Sequence, residues 1–327
     1  MLTNKSILVT GGAGFIGSNL VEVLLAQDNR VVCLDNFFTG WRRNIEPFLD
    51  NPRFTLIEGD IRDLDTCRRA CEGVDFVLHQ AALGSVPRSI EDPLLASEVN
   101  IMGFIKMLVA ACDAKVKRFV YAASSSTYGD SKRLPKVEDE IGKPLSPYAI
   151  TKYTNELYAE NFSRLYGIET IGLRYFNVFG RRQDPDGAYA AVIPKFVMAF
   201  IRHESPTIHG DGTNSRDFTY IDNVVEINQL AALADNPAAV NQVYNVACGE
   251  RIDLNTMFRV LKEELARFDP AILDIAPEYG PPRPGDIPHS QADVSKAEKL
   301  LGYTAPFPFS KGIREAAEWY YHELGKA

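Results

Sequence analysis

The chain has 327 residues, 46% of them hydrophobic and 10% aromatic, so it is long enough to bury one large core or two coupled ones. Its formal net charge is −8 and no dense Lys/Arg cluster is present, which argues against a nucleic-acid surface. The five cysteines form no CxxC pair and no His/Cys ligand spacing, which argues against a metal site and favours the reducing cytoplasm. No apolar run reads as a signal peptide or membrane span, so we expect no membrane contact.

Short apolar runs alternate with helical patterns through the first half of the chain. The candidate strands are SILVT, RVVCLD, FTLIEGD, VDFVLHQAA, KRFVYAASS and ETIGLRYFN. The candidate helices are IGSNLVEVLLAQ, LDTCRRACEG, NIMGFIKMLVAACDAK and YAITKYTNELYAENFSRLYG. Continuously apolar strands that alternate with helices indicate an α/β protein with a parallel sheet covered on both faces.

After Asn177 the sequence becomes rich in Gly and Pro and its elements become less regular. This change predicts a smaller mixed α/β lobe at the C-terminal side. We assign residues 1–178 to the sheet domain, completed by parts of 217–248, and residues 179–216 and 249–327 to the smaller lobe.

The first strand leads into a glycine-rich loop, ILVTGGAGFIG, which contains Gly11, Gly14 and Gly17. Glycines at this spacing allow a tight turn, close approach to a pyrophosphate and close helix–strand packing, while the helix N-terminus offers free N–H groups. Asp35 ends the second strand at the distance that the dinucleotide fingerprint requires. A carboxylate there binds a ribose diol and repels a 2′-phosphate, so we expect NAD rather than NADP.

Two later strand ends fit the same groove. Asp60 and Ile61 end the third strand where an adenine can rest, and HQAA ends the fourth with small residues that let a cofactor lie against the backbone. For His79 we expect a packed or hydrogen-bonded role rather than a chemical one.

The stretch YAITK places Tyr148 and Lys152 four residues apart on one helix face. A lysine ammonium beside a phenol lowers the pKa of the phenol, which we expect to move toward neutrality. Such a phenol can take a proton from a sugar hydroxyl while hydride leaves the same carbon, and the lysine can also reach a ribose. A serine run, Ser124 to Ser126, lies upstream at the end of the fifth strand.

Motifs along the whole chain resemble the extended short-chain dehydrogenase/reductases, and among them the nucleotide-sugar 4-epimerases, most of all those that act on UDP-N-acetylglucosamine. They read TGGAGFIG, LDN, HQAALGSVPRS, SSSTYGD, SPYAITKYTNE, LRYFNVFG, SRDFTYIDNV and RPGDIPHSQAD. The resemblance implies a Rossmann-type doubly wound sheet, firmly held NAD and a UDP-sugar substrate. It also implies an isomerase in which hydride leaves carbon 4, the 4-keto sugar turns over, and hydride returns to the opposite face.

The same resemblance assigns the catalytic and cofactor residues. Ser124 matches the residue that binds the sugar 4-hydroxyl and works with Tyr148, next to Lys152. The predicted cofactor contacts are Gly11, Gly14, Phe15, Ile16, Gly17, Asp35, Asn36, Gly40, Asp60, Ile61, Gln80, Ala81, Ala82, Tyr148, Lys152 and Tyr175. Related dehydratases carry an Asp-Glu pair at the places of Ser125 and Ser126, so the absence of carboxylates there predicts simple inversion rather than elimination.

For the substrate, Arg216 and Arg283 match positions that contact the diphosphate, and Asn177 matches a neighbouring contact. Asp286 is expected to orient Arg283 or its loop. The full predicted substrate set is Ser85, Arg88, Ser125, Ser126, Asn177, Ala191, Val192, Arg216, Arg283, Asp286 and Ser290.

The small residues Ala191 and Ser290 stand where members restricted to glucose and galactose carry Asn and Tyr, which leaves room for an acetamido group. We therefore expect interconversion of UDP-N-acetylglucosamine and UDP-N-acetylgalactosamine. The alternatives are a UDP-N-acetylglucosaminuronate or UDP-glucuronate 4-epimerase, a UDP-glucose 4-epimerase, a net dehydrogenase with exchangeable cofactor, and a non-catalytic NAD sensor or scaffold. The family also implies a homodimer through helices around Ile101–Cys112 and Tyr153–Tyr166.

Overall fold

The computed structural model describes residues 1–185, 191–282 and 288–325. Its strands are β1 Ser6–Thr10, β2 Arg30–Asp35, β3 Phe54–Glu58, β4 Phe76–His79, β5 Arg118–Ser124, β6 Glu169–Tyr175, β7 Val178–Phe179, β8 Thr207–His209, β9 Ser215–Arg216, β10 Thr219–Tyr220, β11 Gln242–Val246, β12 Ile252–Asp253 and β13 Glu278–Gly280.

The α-helices are α1 Phe15–Ala26, α2 Leu64–Cys71, α3 Val86–Glu91, α4 Pro93–Ser97, α5 Phe104–Asp113, α6 Pro147–Tyr166, α7 Val192–Ile201, α8 Ile221–Leu233, α9 Leu254–Leu265, α10 Ser295–Leu301 and α11 Phe309–Trp319. Short 3₁₀ turns occur at Arg42–Asn44, Glu46–Phe48, Ser125–Tyr128 and Pro270–Asp274. Two π-helical segments occur at Glu98–Gly103 and Tyr320–Leu324.

Seven strands form one parallel sheet in the order β11-β6-β5-β4-β1-β2-β3. The strand order reverses direction between β1 and β4, and such a reversal opens a crevice at the carboxyl ends of the strands. The prediction of a Rossmann-type α/β fold is confirmed. The late strand β11 joins the sheet edge beside β6.

The two faces of the sheet bury alternate residues of each strand, because successive side chains of a strand point to opposite faces. In β1, Ile7 and Val9 belong to one apolar cluster with Leu20 of α1 and Val224 of α8. Leu8 belongs to a second cluster with residues of α2 and α5. Helices therefore cover both faces, which explains why the strands read as continuous apolar runs.

The C-terminal part is built from small two-stranded sheets. Strand β8 pairs with β13 in parallel, and β9 pairs with β12 antiparallel. Phe196 of α7 and Phe258 of α9 lie in the same buried cluster as Val9, so one apolar core runs from the sheet into this region. The division into two lobes stays a prediction.

One described helical stretch, Pro93–Asp113, is long and apolar enough to cross a bilayer by length and composition, and 44% of its most apolar window is buried inside the protein. Our sequence reading missed a run of this length because α4, the π-helical segment and α5 join into one continuous stretch. Core helices of soluble proteins meet the same criterion, so this stretch alone is weak evidence for a membrane segment.

Candidate active site

The glycine loop brings β1, α1 and the end of β4 unusually close together. Gly11 has φ +67°, and a Cβ at this position would lie 2.8 Å from the backbone nitrogen of Ala81. A Cβ on Gly17 would lie 2.1 Å from the carbonyl oxygen of Gly11. Any side chain at either position would force these elements apart, so both glycines are required by the backbone itself.

Asp35 ties the glycine loop to the turn after β2. Its buried carboxylate accepts the backbone N–H of Ala13 at 2.9 Å through Oδ2 and that of Phe37 at 2.8 Å through Oδ1. Burial raises the pKa of Asp35, and the two N–H groups offset part of that rise. This organising role is additional to the ribose contact predicted from the sequence.

A cavity of about 380 Å³ opens at the crevice between β1 and β4. It brings together these predicted cofactor residues: Gly11, Gly14, Phe15, Ile16, Gly17, Asp35, Asn36, Gly40, Asp60, Ile61, Gln80, Ala81 and Ala82. Its lining also includes residues that we did not predict: Phe38, Thr39, Arg62, Leu83, Gly84, Leu95 and Val99. The glycines at the start of α1 leave the backbone open to a pyrophosphate, and the carboxylate of Asp35 lies at the end of β2. This arrangement fits a dinucleotide such as NAD.

Asp60 is held by a neighbour that sequence reasoning missed. Arg62 donates from Nη2 to Asp60 Oδ2 at 2.8 Å, and Asn36 donates from Nδ2 to the same oxygen at 2.9 Å. The bonds from Arg62 lower the pKa of Asp60, with smaller contributions from its other donors. The carboxylate therefore stays charged and fixes Asn36 at the rim of the cavity.

Tyr175 links the dinucleotide cavity to helix α8. Its hydroxyl donates to Gln80 Oε1 at 3.2 Å and accepts from Asn228 Nδ2 at 2.9 Å. Gln80 in turn donates to Asn228 Oδ1 at 3.2 Å, which closes a triangle of hydrogen bonds. Asn228 carries no motif signal, so only the fold reveals it.

His79 is packed and hydrogen-bonded, as expected. Its Nδ1 lies 2.9 Å from Thr10 Oγ1, and its ring packs against Phe104 and Phe119. Burial, with the nearby Lys152 charge, lowers the pKa of His79 to about 3, so the ring stays neutral at physiological pH.

The first turn of α6 carries Tyr148, and two serines satisfy its free backbone N–H groups. Ser146 Oγ accepts the N–H of Ala149 at 3.1 Å, as an N-cap residue does. Ser89 Oγ, from α3, accepts the N–H of Tyr148 at 3.0 Å. The position of Tyr148 therefore depends on a residue far from it in sequence, which we did not predict as part of the site.

Ser124, Tyr148 and Lys152 come together at the end of β5. The Ser124 hydroxyl is close enough to the Tyr148 phenol to lower its pKa. The buried Lys152 donates from Nζ to the carbonyl oxygen of Ala122 at 2.8 Å, and Nζ lies 5.9 Å from the centre of the Tyr148 ring. The lysine is therefore beside the phenol but bonded to the strand.

The expected lowering of the Tyr148 pKa is wrong for this structure. Burial raises the pKa of the phenol, and the nearby Ser124 hydroxyl offsets only part of the rise. Burial also lowers the pKa of Lys152 to about 8, with Glu156 acting in the opposite direction. The Lys152 ammonium donates to the Ala122 carbonyl oxygen and not to the phenol, so burial, rather than the lysine charge, sets the direction of the shift in the Tyr148 pKa.

The serine run forms a 3₁₀ turn directly after β5. Ser124 Oγ accepts the backbone N–H of Ser126 at 3.2 Å and its hydroxyl at 2.9 Å, so Ser124 also caps the turn. In α3, Ser85 is the N-cap residue, and its Oγ accepts the N–H of Arg88 at 3.1 Å. Neither capping bond shows a contact with a substrate. The substrate contacts expected for Ser85, Arg88, Ser125 and Ser126 therefore stay predictions.

A second cavity, of about 500 Å³, lies between the end of β6 and the C-terminal part. Of the predicted substrate residues, its lining includes Asn177, Ala191, Val192 and Arg216. It also includes polar and aromatic residues that we missed: Lys195, Phe196, Thr207, His209 and Phe218. Asn177 lies two residues after Tyr175, whose hydroxyl donates to Gln80 in the lining of the first cavity, so one chain segment connects the two cavities.

Three predicted substrate residues need separate mention. Ser290 is half-buried, and its N–H donates to the carbonyl oxygen of Ser215 at 3.0 Å, next to Arg216, although it does not line the second cavity. Arg283 and Asp286 lie outside the described residues. Among the residues that are described, no group of three His, Cys, Asp or Glu side chains is arranged to hold a metal ion.

A doubly wound parallel sheet, a glycine-floored crevice and a Ser–Tyr–Lys group beside it define a dinucleotide-dependent enzyme of the short-chain dehydrogenase/reductase type. Comparison with known sequences agrees. The model of the "NAD dependent epimerase/dehydratase family" matches residues 7–247. The chain belongs to this family, and the predicted NAD dependence is confirmed with it.

Individual relatives match over nearly the whole chain. A putative UDP-glucose 4-epimerase of Methanocaldococcus jannaschii is 37% identical over 96% of this chain and 97% of its own. A solved UDP-N-acetylglucosamine 4-epimerase from Methanobrevibacter ruminantium, in complex with UDP-N-acetylmuramic acid, is 38% identical with a TM-score of 0.88, covering 98% of this chain and 100% of that one.

A third relative carries a different sugar. A variant of UDP-glucuronic acid 4-epimerase from Bacillus cereus, solved with NAD and UDP-4-deoxy-4-fluoro-glucuronic acid, is 30% identical with a TM-score of 0.84, covering 96% of this chain and 98% of that one. The relatives therefore confirm the expected enzyme class, nucleotide-sugar 4-epimerases, and they differ in the sugar.

Proposed function

We propose that this protein inverts carbon 4 of a UDP-hexose and that its preferred pair is UDP-N-acetylglucosamine and UDP-N-acetylgalactosamine. The observation that carries the inversion is the grouping of Ser124, Tyr148 and Lys152 beside a dinucleotide cavity. It provides one proton-transfer group, one hydroxyl partner and one cation next to the crevice where the family binds NAD.

Each of these side chains has a separate task in the proposed reaction. Tyr148 Oη takes the proton of the sugar 4-hydroxyl and returns it at the end, and Ser124 Oγ holds the same sugar oxygen. Lys152 Nζ supplies the positive charge that favours the deprotonated phenol once it turns from Ala122 O. Bound NAD supplies the hydride acceptor that is regenerated in each cycle.

The serine turn favours inversion over elimination. Removing water across carbons 5 and 6 needs an acid and a base close to the sugar. The 3₁₀ turn Ser125–Tyr128 follows Ser124 directly and offers only hydroxyl side chains and a glycine after it. A 4-keto sugar at this site therefore has no carboxylate from this turn to start elimination.

The preference for N-acetyl sugars is supported by side-chain volume. Ala191 lines the second cavity with no more than a methyl group. Ser290 is held beside Arg216 by its bond to Ser215 and also has a small side chain. If these two residues flank the hexose, as the family resemblance implies, they leave space for a 2-acetamido group.

The direct test is an assay of purified protein with UDP-N-acetylglucosamine, UDP-glucose, UDP-glucuronate and UDP-N-acetylglucosaminuronate, separating the products by chromatography. We expect 4-epimers with the N-acetyl hexose turned over most efficiently. A higher kcat/KM with either uronate would replace the proposed substrate, and 6-deoxy-4-keto products would contradict inversion.

A bulky residue at Ser290 tests the volume argument. Ser290→Tyr should reduce kcat/KM for UDP-N-acetylglucosamine about tenfold or more while affecting UDP-glucose much less, because the ring fills the acetamido space. Ser295→Tyr makes the same change at an exposed position nearby and should leave both values unchanged. Equal losses for both sugars in Ser290→Tyr would remove the volume argument.

A further inference from the structure

Asp217 is a fully buried carboxylate between β9 and β10. Its Oδ1 accepts the backbone N–H of Cys248 at 3.0 Å, and its Oδ2 accepts that of Ala292 at 3.1 Å. Its own carbonyl oxygen accepts from Asn177 Nδ2 at 3.0 Å. One residue therefore binds three chain segments that are distant from each other in sequence.

Two of these segments carry a residue of the predicted substrate site, and the residue before Asp217 is a third such residue. Asn177 lines the second cavity, and Arg216, the residue before Asp217, lines it as well. Ala292 is two residues after Ser290. Asp217 thus binds the Asn177 segment through its carbonyl oxygen, and its carboxylate joins the Cys248 segment to the segment that carries Ser290.

The segment of residues 288–293, which carries Ser290, has its other attachments in the same region. Ser215 donates its N–H to the carbonyl of Pro288 at 2.9 Å and accepts the N–H of Ser290 at 3.0 Å. Gln291 accepts from the N–H of Lys136 at 2.8 Å and donates from Nε2 to the carbonyl of Gly249 at 2.7 Å. Asp217 is the buried carboxyl group in this set of bonds. Burial raises its pKa to about 7, and the backbone N–H groups that it accepts offset part of the rise.

We propose that Asp217 is a positioning residue of the substrate site, which holds Asn177, Arg216 and the Ser290 segment in one arrangement without contacting the sugar nucleotide. A carboxylate suits this task because it accepts two N–H groups from different segments at once. Burial keeps water from competing for those N–H groups. The proposal rests on the proposed function, since it assumes that the second cavity receives the UDP part of the substrate.

The bonding pattern explains why an amide cannot replace the carboxylate. In Asp217→Asn one oxygen becomes an NH₂ group, which meets the backbone N–H of either Cys248 or Ala292 instead of accepting it. One segment then loses its attachment while the side-chain volume stays the same. The Cys248 segment or the Ser290 segment loses its bond to the Asp217 side chain, whereas Asn177 keeps its bond to the Asp217 carbonyl and the catalytic side chains keep their own contacts.

The test measures UDP binding by titration calorimetry and epimerase kinetics on the NAD-loaded protein. Asp217→Asn should raise the Kd for UDP and the KM for the UDP-sugar about tenfold or more, with kcat changed less than about threefold and NAD content unchanged. Asp253→Asn makes the same chemical change at the N-cap of α9, where Asn caps equally well, and should leave both constants unchanged. An unchanged Kd and KM in Asp217→Asn, or a loss confined to kcat, would overturn the proposal.

A measurement on the unaltered protein covers the case in which Asp217→Asn does not fold. Hydrogen–deuterium exchange at the N–H of Cys248, which is not itself a predicted substrate contact, should slow when UDP is added. Unchanged exchange there would also overturn the proposal. UDP binding can be measured without turnover. A protein that binds UDP but epimerises no UDP-hexose would refute the proposed function. The UDP-binding data would then still decide the role of Asp217.

Discussion

Tyr148 sits at the second position of α6, where the first turn of a helix leaves backbone N–H groups without a partner in the helix. Ser89 satisfies that N–H from α3 and is itself anchored, because its hydroxyl donates to the carbonyl of Val86 at 2.7 Å. Ser89 thereby fixes the backbone of Tyr148, and the Ser124 hydroxyl lies beside its phenol. The position of Tyr148 therefore depends on α3 as well as on α6.

Removal of the phenol hydroxyl tests the role of Tyr148 as the proton-transfer group. Tyr148→Phe should lower kcat by about 10²- to 10⁴-fold, the usual contribution of a general acid–base residue, while the protein keeps its NAD. Tyr166→Phe removes a hydroxyl from an exposed position at the end of the same helix and should have no effect. A rate for Tyr148→Phe within about threefold of the unaltered protein would assign the proton transfer elsewhere.

The charge of Lys152 predicts how the rate changes at alkaline pH. Burial lowers the pKa of Lys152 to about 8, so the side chain is an ammonium at pH 7 and loses its charge as the pH rises through that value. Loss of the charge removes the support for the deprotonated phenol, so kcat/KM should fall above about pH 8. Lys152→Arg keeps the charge and should move this fall to higher pH. A fall at the same pH in both proteins would mean that another group causes it.

The residues found from sequence are those for which the chemistry imposes a local pattern. Gly11, Gly17 and Asp35 follow from backbone sterics and a fixed spacing, and the structure places them around one cavity. Ser89, Asn228 and Asp217 were missed because their partners lie tens of residues away and serine, asparagine and aspartate are common in any sequence. Their functions depend on which segments the fold brings together.

At the scale of secondary structure, α6 is fastened to the sheet by a buried ion pair. Arg174 of β6 donates to both carboxylate oxygens of Glu156, at 2.9 and 2.7 Å, and both side chains are almost fully buried. Arg174 also donates to the carbonyl of Glu138 at 2.9 Å and lies over the ring of Tyr128. The helix that carries Tyr148 and the turn that follows Ser124 are thus held by one guanidinium.

Neutralising Glu156 should destabilise the whole fold. Glu156→Gln leaves Arg174 as a buried, uncompensated charge, which typically costs about 3–5 kcal/mol of unfolding free energy. Glu263→Gln breaks an exposed pair with Arg259 and should cost less than about 1 kcal/mol. Urea denaturation of both variants measures the difference. If both variants lose the same free energy of unfolding, the buried ion pair does not stabilise the contact between α6 and the sheet as we describe.

The long elements were predictable from their apolar pattern, and the short ones were not. The predicted strands SILVT and RVVCLD coincide with β1 and β2. The strand predicted at VDFVLHQAA is longer than β4, which has four residues. Pairs such as β8 with β13 have two or three residues per strand. So few residues show no period, and pairing with a distant partner decides their structure.

At the scale of the whole molecule, one face of α6 remains apolar and open. Ile150, Leu157 and Leu165 are 53%, 49% and 60% exposed, and they lie along one side of the helix. A row of this kind is typical of a surface that is covered by a partner. The family resemblance points to a second copy of the same chain, packed helix against helix.

A charge in the middle of this row tests the dimer. Light scattering should give about twice the chain mass of 36.4 kDa for the unaltered protein and a shift toward the monomer for Leu157→Glu. Leu273→Glu, at a similarly exposed leucine in the Pro270–Asp274 turn, should leave the mass unchanged. A monomeric unaltered protein at high concentration would contradict the expected assembly.

The measurement that tests the central claim most directly is the analysis of freshly purified protein for bound nucleotide, followed by incubation with UDP-N-acetylglucosamine without added NAD. We expect about one NAD per chain and formation of the 4-epimer with no net NADH. A folded protein that contains no dinucleotide, and that leaves every offered UDP-hexose unchanged even when NAD is supplied, would contradict it.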